Sequence, residues 1–187
     1  MNEGLISSRY AKTLLLFARK QQAEDVVYQQ ALQIAKICEQ DRRLKKILAD
    51  PILSKNDKIR IIGTVLNGNM SPVLKIFVDT VLENERENYL QRICLRYIDL
   101  YRKQHNIHHA RLTTAEVVDY AIIEKQIVDL INSVTGGSVE IQHEIDPDII
   151  GGFMIDVDSM RIDATLATQL KRTKDGFDEK NKLIINN

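Results

Sequence analysis

The sequence predicts a mainly α protein, with an N-terminal six-helix bundle over residues 1–105 followed by a small α/β domain over residues 106–187. Three observations carry that prediction. Through the first hundred residues, apolar side chains recur at i, i+3, i+4 and i+7, the period of a helix with one buried face. Near Gln104–His109 the pattern changes to short alternating runs around a single helical stretch. Finally, Pro147–Leu166 carries a proline and paired glycines, an alternating strand, a polar turn, a second short strand and Asp163 placed to cap a last helix.

Taking the elements in order, Ser7 or Ser8 can cap a first helix that runs to about Lys20. Leu14, Leu15, Leu16 and Phe17 are consecutive within it, and at about 100° per residue they sweep more of the circumference than one core-facing stripe needs. A second helix, Glu24–Gln40, places Val27, Ala31, Ile34 and Cys38 on one stripe, and a short third spans Arg42–Leu48. Ser54 with Asp57 makes a capping-box-like start for a fourth helix with Ile59, Ile62, Gly63 and Leu66 inward, closed by Asn67, Gly68 and Asn69. Ser71 and Pro72 are a cap and first-turn pair. They open a fifth helix whose apolar residues, Val73, Leu74, Ile76, Phe77, Val78, Val81 and Leu82, again exceed one stripe. The sixth carries Leu90, Ile93, Cys94, Tyr97, Ile98 and Tyr101 at helical spacing.

Beyond a linker at Gln104–His109, strands are expected at Arg111–Ala115 and Val139–Ile145. The helix between them, about Asp119–Val134, turns Ile123, Ile127, Leu130, Ile131 and Val134 inward and is stopped by Gly136 and Gly137. Further strands at Phe153–Val157 and Arg161–Ile162 precede the helix from Asp163, and the polar stretch after Lys174 is expected to be loose.

Composition narrows the function. Lys plus Arg and Asp plus Glu are both 26, so the formal net charge is zero; a nucleic-acid surface would need cations in excess. A protein partner fits better. The opening Met1, Asn2, Glu3, Gly4 is no charged lead into an apolar core, and the longest apolar run, Leu14–Ala18, is too short to span a bilayer. Both features predict a cytosolic protein or one peripheral to a membrane's cytosolic face. Cys38 and Cys94 lie in helical apolar patterns and read as buried free thiols. The best metal candidate, His105, His108 and His109 with Asp156 and Asp158, lacks an open ligand set with a general base, and a histidine-bearing surface linker and a solvated hairpin face are the plainer readings. No catalytic residue, metal or cofactor is assigned.

The Pro147–Leu166 stretch resembles the C-terminal signature of the delta subunit of F-type ATP synthases, the counterpart of the mitochondrial oligomycin-sensitivity-conferring protein. The resemblance rests on Ile150, Gly151, Gly152, the alternating Phe153, Ile155 and Val157, then Ile162, Asp163, Thr165, Leu166 and Leu170. Asp158 and Ser159 stand where that family usually has Gly then Asp, and Ala164 with Thr165 replaces Gly or Ala with Ser; both exchanges preserve local turn chemistry. Further matches are Arg9, Tyr10, Ala11, Leu14, Phe17 and Ala18, with Thr13 where Ala is usual. Pro51, Ile52, Ser54, Lys58, Leu82, Asn84, Arg86 and Leu90 also match, so the resemblance covers Arg9–Leu170.

Periodicity leaves open whether the surplus apolar residues of the first and fifth helices pack centrally or face a partner. The resemblance implies the second: a groove between these helices that receives the N-terminal helix of an alpha subunit, at positions Tyr10, Thr13, Leu14, Val78 and Leu82. It likewise implies that Gly151, Gly152, Phe153, Ile155, Asp163, Thr165, Leu166 and Leu170 belong to a module holding the C-terminal helices of the b subunits. The expected function is a non-catalytic stator in the peripheral stalk, on the cytoplasmic face of a bacterial inner membrane, serving ATP synthesis coupled to ion transport. A free-standing helical adaptor for another protein or RNA is the alternative, and a small metal hydrolase using the histidines is the remaining rival.

Overall fold

The computed structural model describes residues 3–116, 121–158 and 160–171. The chain is mainly helical, with a small four-stranded mixed sheet in its C-terminal part. It divides into two compact units, Met1–Gln104 and His105–Asn187.

The first unit contains α1 (Glu3–Lys20), α2 (Glu24–Gln40), α3 (Arg42–Ala49), α4 (Lys55–Val65), α5 (Pro72–Glu83), a 3-10 turn at Glu87–Tyr89, and α6 (Leu90–Gln104). Polar side chains start several of these helices by satisfying amides that have no partner one turn back. Asp41 accepts from Arg43 N at 2.8 Å, Ser54 from Asp57 N at 3.2 Å and Ser71 from Leu74 N at 3.2 Å. The first helix departs from expectation. It is already formed at Glu3, so Ser7 and Ser8 lie inside it, and Ser7 is buried.

The inward faces follow the predicted stripes. Val27, Ala31, Ile34 and Cys38 of α2 are buried, as are the six residues expected on the inward stripe of α6. In α4 Ile62 is buried, as is Leu66 just past its end, while Ile59 and Gly63 are half-buried. Two polar residues join them: Lys58, and Gln30 from α2. Gln30 uses both ends of its amide. Its Nε2 donates to the Asn69 carbonyl, and its Oε1 accepts from Ser71 Oγ at 2.7 Å and Ser71 N at 3.3 Å, which ties α2 to the start of α5. Buried polar atoms need this accounting because an unpaired one forfeits its hydration.

The second unit is β1 (Ile107–Thr114), α7 (Ala121–Thr135), β2 (Ser138–Ile145), β3 (Phe153–Val157) and β4 (Met160–Asp163), in sheet order β2-β1-β3-β4. β1 and β2 are parallel, as a helical crossover requires, and the other pairs are antiparallel. Ile127 and Ile131 of α7 share a core with Ala110, Leu112, Ile155 and Val157 of the sheet. Strand β1 starts at Ile107, so His108 and His109 belong to the sheet and not to a linker. Their imidazoles are partly buried, and the eight-residue pairing with β2, from Ile107↔Ser138 to Thr114↔Ile145, outweighs their polar composition. The predicted start of α7 at Asp119, the turn residue Ser159, the inward positions Ile123, Leu130 and Val134, and the tail beyond Lys174 lie outside the described residues or side chains.

Candidate functional site

An apolar cleft of about 510 Å³ opens between α1 and α5. Arg9, Tyr10, Thr13 and Phe17 form the α1 bank, and Ile76, Phe77 and Thr80 form the α5 bank. Helical spacing explains each bank: Arg9, Thr13 and Phe17 fall at i, i+4 and i+8, and Ile76 and Thr80 at i and i+4. Tyr10 and Phe77 meet edge to face, with centroids 6.3 Å apart and planes at 73°, a favoured aromatic geometry that joins the two helices across the cleft. The two threonine hydroxyls are turned inward on their own helices. Thr13 Oγ1 donates to Arg9 O at 3.0 Å and Thr80 Oγ1 to Ile76 O at 2.9 Å. Their methyl groups therefore extend the apolar lining.

Of the five residues expected at this groove, Tyr10 and Thr13 line it. Leu14 and Val78 are 0% exposed and Leu82 is 3% exposed, so these three pack into the core. Sequence reasoning missed Phe17, Ile76 and Phe77 as lining residues, although all three were visible as surplus apolar positions. Ile76 is the informative one: a large apolar side chain left 55% exposed at the rim.

The second candidate site is the joint around the paired glycines. Leu166 N donates to Gly151 O at 3.1 Å and Ala164 N to Phe153 O at 3.0 Å, so the end of the hairpin folds back onto its beginning. Gly152 has φ +80, and a Cβ there would meet Ala164 O at 2.5 Å. Only glycine fits both constraints. Asp163, at the end of β4, accepts from Thr165 N at 2.9 Å and Thr165 Oγ1 at 2.7 Å, and through Oδ2 from Thr168 Oγ1 at 2.8 Å. The residue directly before the helical stretch 166–171 is Thr165, whose Oγ1 accepts from Thr168 N at 3.4 Å; Asp163 acts one step back, by fixing the two threonines. Phe153 is half-buried and Ile155 lies in the core, whereas Ile150, Ile162, Leu166 and Leu170 are exposed. The module thus presents apolar side chains outward beside a rigid turn.

On the sheet face away from α7, Arg161 holds Asp156 with contacts of 2.5 and 3.0 Å, and Arg111 lies 3.6 Å from Glu144. Registers place Glu144, Arg111, Asp156 and Arg161 on successive strands β2, β1, β3 and β4. The hydrogen bonds from Arg161 keep the Asp156 carboxyl below the usual carboxylate range. His108 Nδ1 lies 2.7 Å from Asp158 Oδ2, fixing a turn residue at φ +50. Among the described residues, no three His, Cys, Asp or Glu side chains gather as a metal site, and no helix is long and apolar enough to cross a membrane.

The family model for the ATP synthase delta (OSCP) subunit matches residues 6–177. The chain is 39% identical over 183 residues to the ATP synthase subunit delta of Phocaeicola vulgatus, covering 97% of this chain and 98% of the relative. It is 37% identical over 187 residues to that of Bacteroides fragilis, covering 99% and 100%. A chain in the cryo-EM structure of the Toxoplasma gondii mitochondrial ATP synthase hexamer shares the fold, with TM-score 0.67 at 20% identity over 95% of this chain and 97% of that one. The chain therefore belongs to the ATP synthase delta (OSCP) subunit family, as a structural stator subunit and not a catalytic one.

Proposed function

We propose that the chain joins the catalytic head of an F-type ATP synthase to the b subunits of the membrane sector through two separate surfaces. The six helices of the first unit form the head-facing bundle, and the cleft between α1 and α5 takes the amphipathic N-terminal helix of an alpha subunit. The β3–β4 hairpin and the helical stretch 166–171 present the surface for the C-terminal helices of b. Such a link works mechanically: it keeps the head from turning with the central rotor, so its contacts must outlast the torque, and slow dissociation is the property that serves this. The complex sits at the cytoplasmic face of the bacterial inner membrane, and the chain reaches that membrane only through its partners.

The observation that carries the reading is the cleft itself, an open apolar channel with aromatic side chains along both banks. Helix-in-groove recognition draws its affinity from anchors of this kind. The test is an NMR titration of the isotope-labelled full chain with a peptide of about 20 residues from the N-terminus of the same organism's alpha subunit, long enough as a helix to fill the cleft. Saturable shifts at Tyr10, Thr13, Phe17, Ile76 and Thr80 are expected. An absence of binding to the folded chain sinks the head-facing assignment. For the lower contact, binding of purified b subunit that survives Leu166→Asp and Leu170→Asp together would move that interface elsewhere.

A further inference from the structure

The cleft is apolar but not electrically neutral. Among the described residues, Arg9 is the only charged one in its lining. Its guanidinium has no carboxylate partner among the described residues, and the neighbouring Tyr10 hydroxyl has no acceptor among them either. Every other polar group of the lining is already used: Thr13 and Thr80 donate to their own helices. Two unspent donors therefore stand on adjacent residues of one bank. The banks also differ in sign. On α1, Arg9 and Lys20 share the face of Thr13, at i, i+4 and i+11; on α5, Asp79 and Glu83 share the face of Ile76, at i, i+3 and i+7.

From this the geometry points to a charge lock in the groove: the occupant is an amphipathic helix carrying a carboxylate on the flank that faces α1, held by the Arg9 guanidinium and the Tyr10 hydroxyl. This rests on the groove-binding reading above and adds what that reading lacks, a residue that fixes the rotation of the incoming helix. Apolar anchors are non-directional, so alone they tolerate small rotations of the helix and sliding along the cleft. A guanidinium–carboxylate contact at the edge of an apolar channel does not, because it is directional and strengthens as the helix excludes water. The carboxylates of α5 act in the same sense by repelling that flank from the opposite bank.

Calorimetric titration of the full chain with the alpha N-terminal peptide tests this, using the wild type, Arg9→Gln and Arg9→Glu. Arg9 is exposed, so both variants are expected to melt with the wild type. The expected result is binding weakened about tenfold by Arg9→Gln and more by Arg9→Glu, with the wild-type salt dependence flattened in Arg9→Gln and reversed in sign in Arg9→Glu. A peptide whose flanking Asp or Glu is changed to Lys should lose affinity for the wild type and regain it for Arg9→Glu. Equal affinities across the three chains, or tight binding by a peptide with no carboxylate on that flank, overturn the lock while leaving the groove intact. Failure of the unaltered peptide to bind the wild type overturns both.

Discussion

Lys58 Nζ lies 2.7 Å from Glu87 Oε1, an ion pair whose side chains are only 5% and 15% exposed and which fastens α4 to the turn before α6. Among the described residues Glu87 Oε2 is buried without a partner, and Lys58 is the one cation they supply to the carboxylate. Removing a single member of a buried pair leaves an uncompensated charge, whereas replacing both can be nearly neutral. Lys58→Met should therefore cost about 3 kcal/mol, and the Lys58→Met, Glu87→Gln double variant much less than twice that. Urea unfolding of the four proteins in a mutant cycle checks it; additive losses would show that the pair is not coupled.

The paired glycines give a second expectation. Gly152→Ala places a methyl 2.5 Å from Ala164 O at a φ of +80, so both the backbone and the hairpin return must shift. A loss of about 1–3 kcal/mol is expected. Gly68→Ala is the control: it shares the positive φ but meets nothing within 4 Å, so it should lose only the backbone part. Equal melting temperatures for the two variants would remove the close approach as the reason for the glycine.

These two cases differ in legibility: the paired glycines stand out in the sequence and the buried ion pair does not. Helical stripes such as Val27, Ala31, Ile34 and Cys38 were readable because a 3.6-residue period records burial directly, and the Ser54 and Ser71 starts because capping is local chemistry. Lys58 and Gln30 were not, since nothing near them in sequence distinguishes a buried, partnered polar residue from a solvated one. The same limit explains the groove. Periodicity showed too many apolar residues on α1 and α5 without telling which neighbours would cover Leu14 and Val78 and leave Ile76 out. His108 and His109 looked like linker because their strand is stabilised by pairing with β2, a contact invisible from thirty residues away.

The Arg161–Asp156 contact predicts an acid dependence. Hydrogen bonds from Arg161, with its charge, hold the Asp156 carboxyl below its ordinary value. A carboxyl depressed in the folded state stabilises above its unfolded pKa, and that contribution is lost as pH falls through the folded value. Asp156→Asn should accordingly be less stable than wild type at neutral pH, with the difference shrinking once pH drops below about 4. Thermal melts across that range check the sign; a gap that widened in acid would contradict it.

Cys94 is 1% exposed, and burial pushes its thiol up to about 12. Thiolate is the reactive form, so the native protein should leave Cys94 unmodified by iodoacetamide at pH 8, and both Cys94 and Cys38 should react in denaturant. Mass spectrometry after timed alkylation distinguishes them. Fast native labelling of Cys94 would mean that α6 opens locally far more often than its packing suggests.

The division between groove and core can be tested with substitutions on the same two helices. Leu14 is 0% exposed, so Leu14→Ala creates a cavity and should cost about 2–5 kcal/mol, lowering peptide binding only in proportion to the unfolded fraction. Ile76 is 55% exposed, and Ile76→Asp should change stability by no more than about 0.5 kcal/mol. Yet it puts a fixed charge on the apolar rim and should weaken binding of the alpha-subunit helix by at least about tenfold. Melting curves and titrations on both variants separate the two effects: Leu14 acts through the fold and Ile76 through the interface. If Ile76→Asp bound the peptide as well as wild type while Leu14→Ala lost binding at full folding, the recognition surface would lie deeper between α1 and α5, and the helices would have to part to admit their partner.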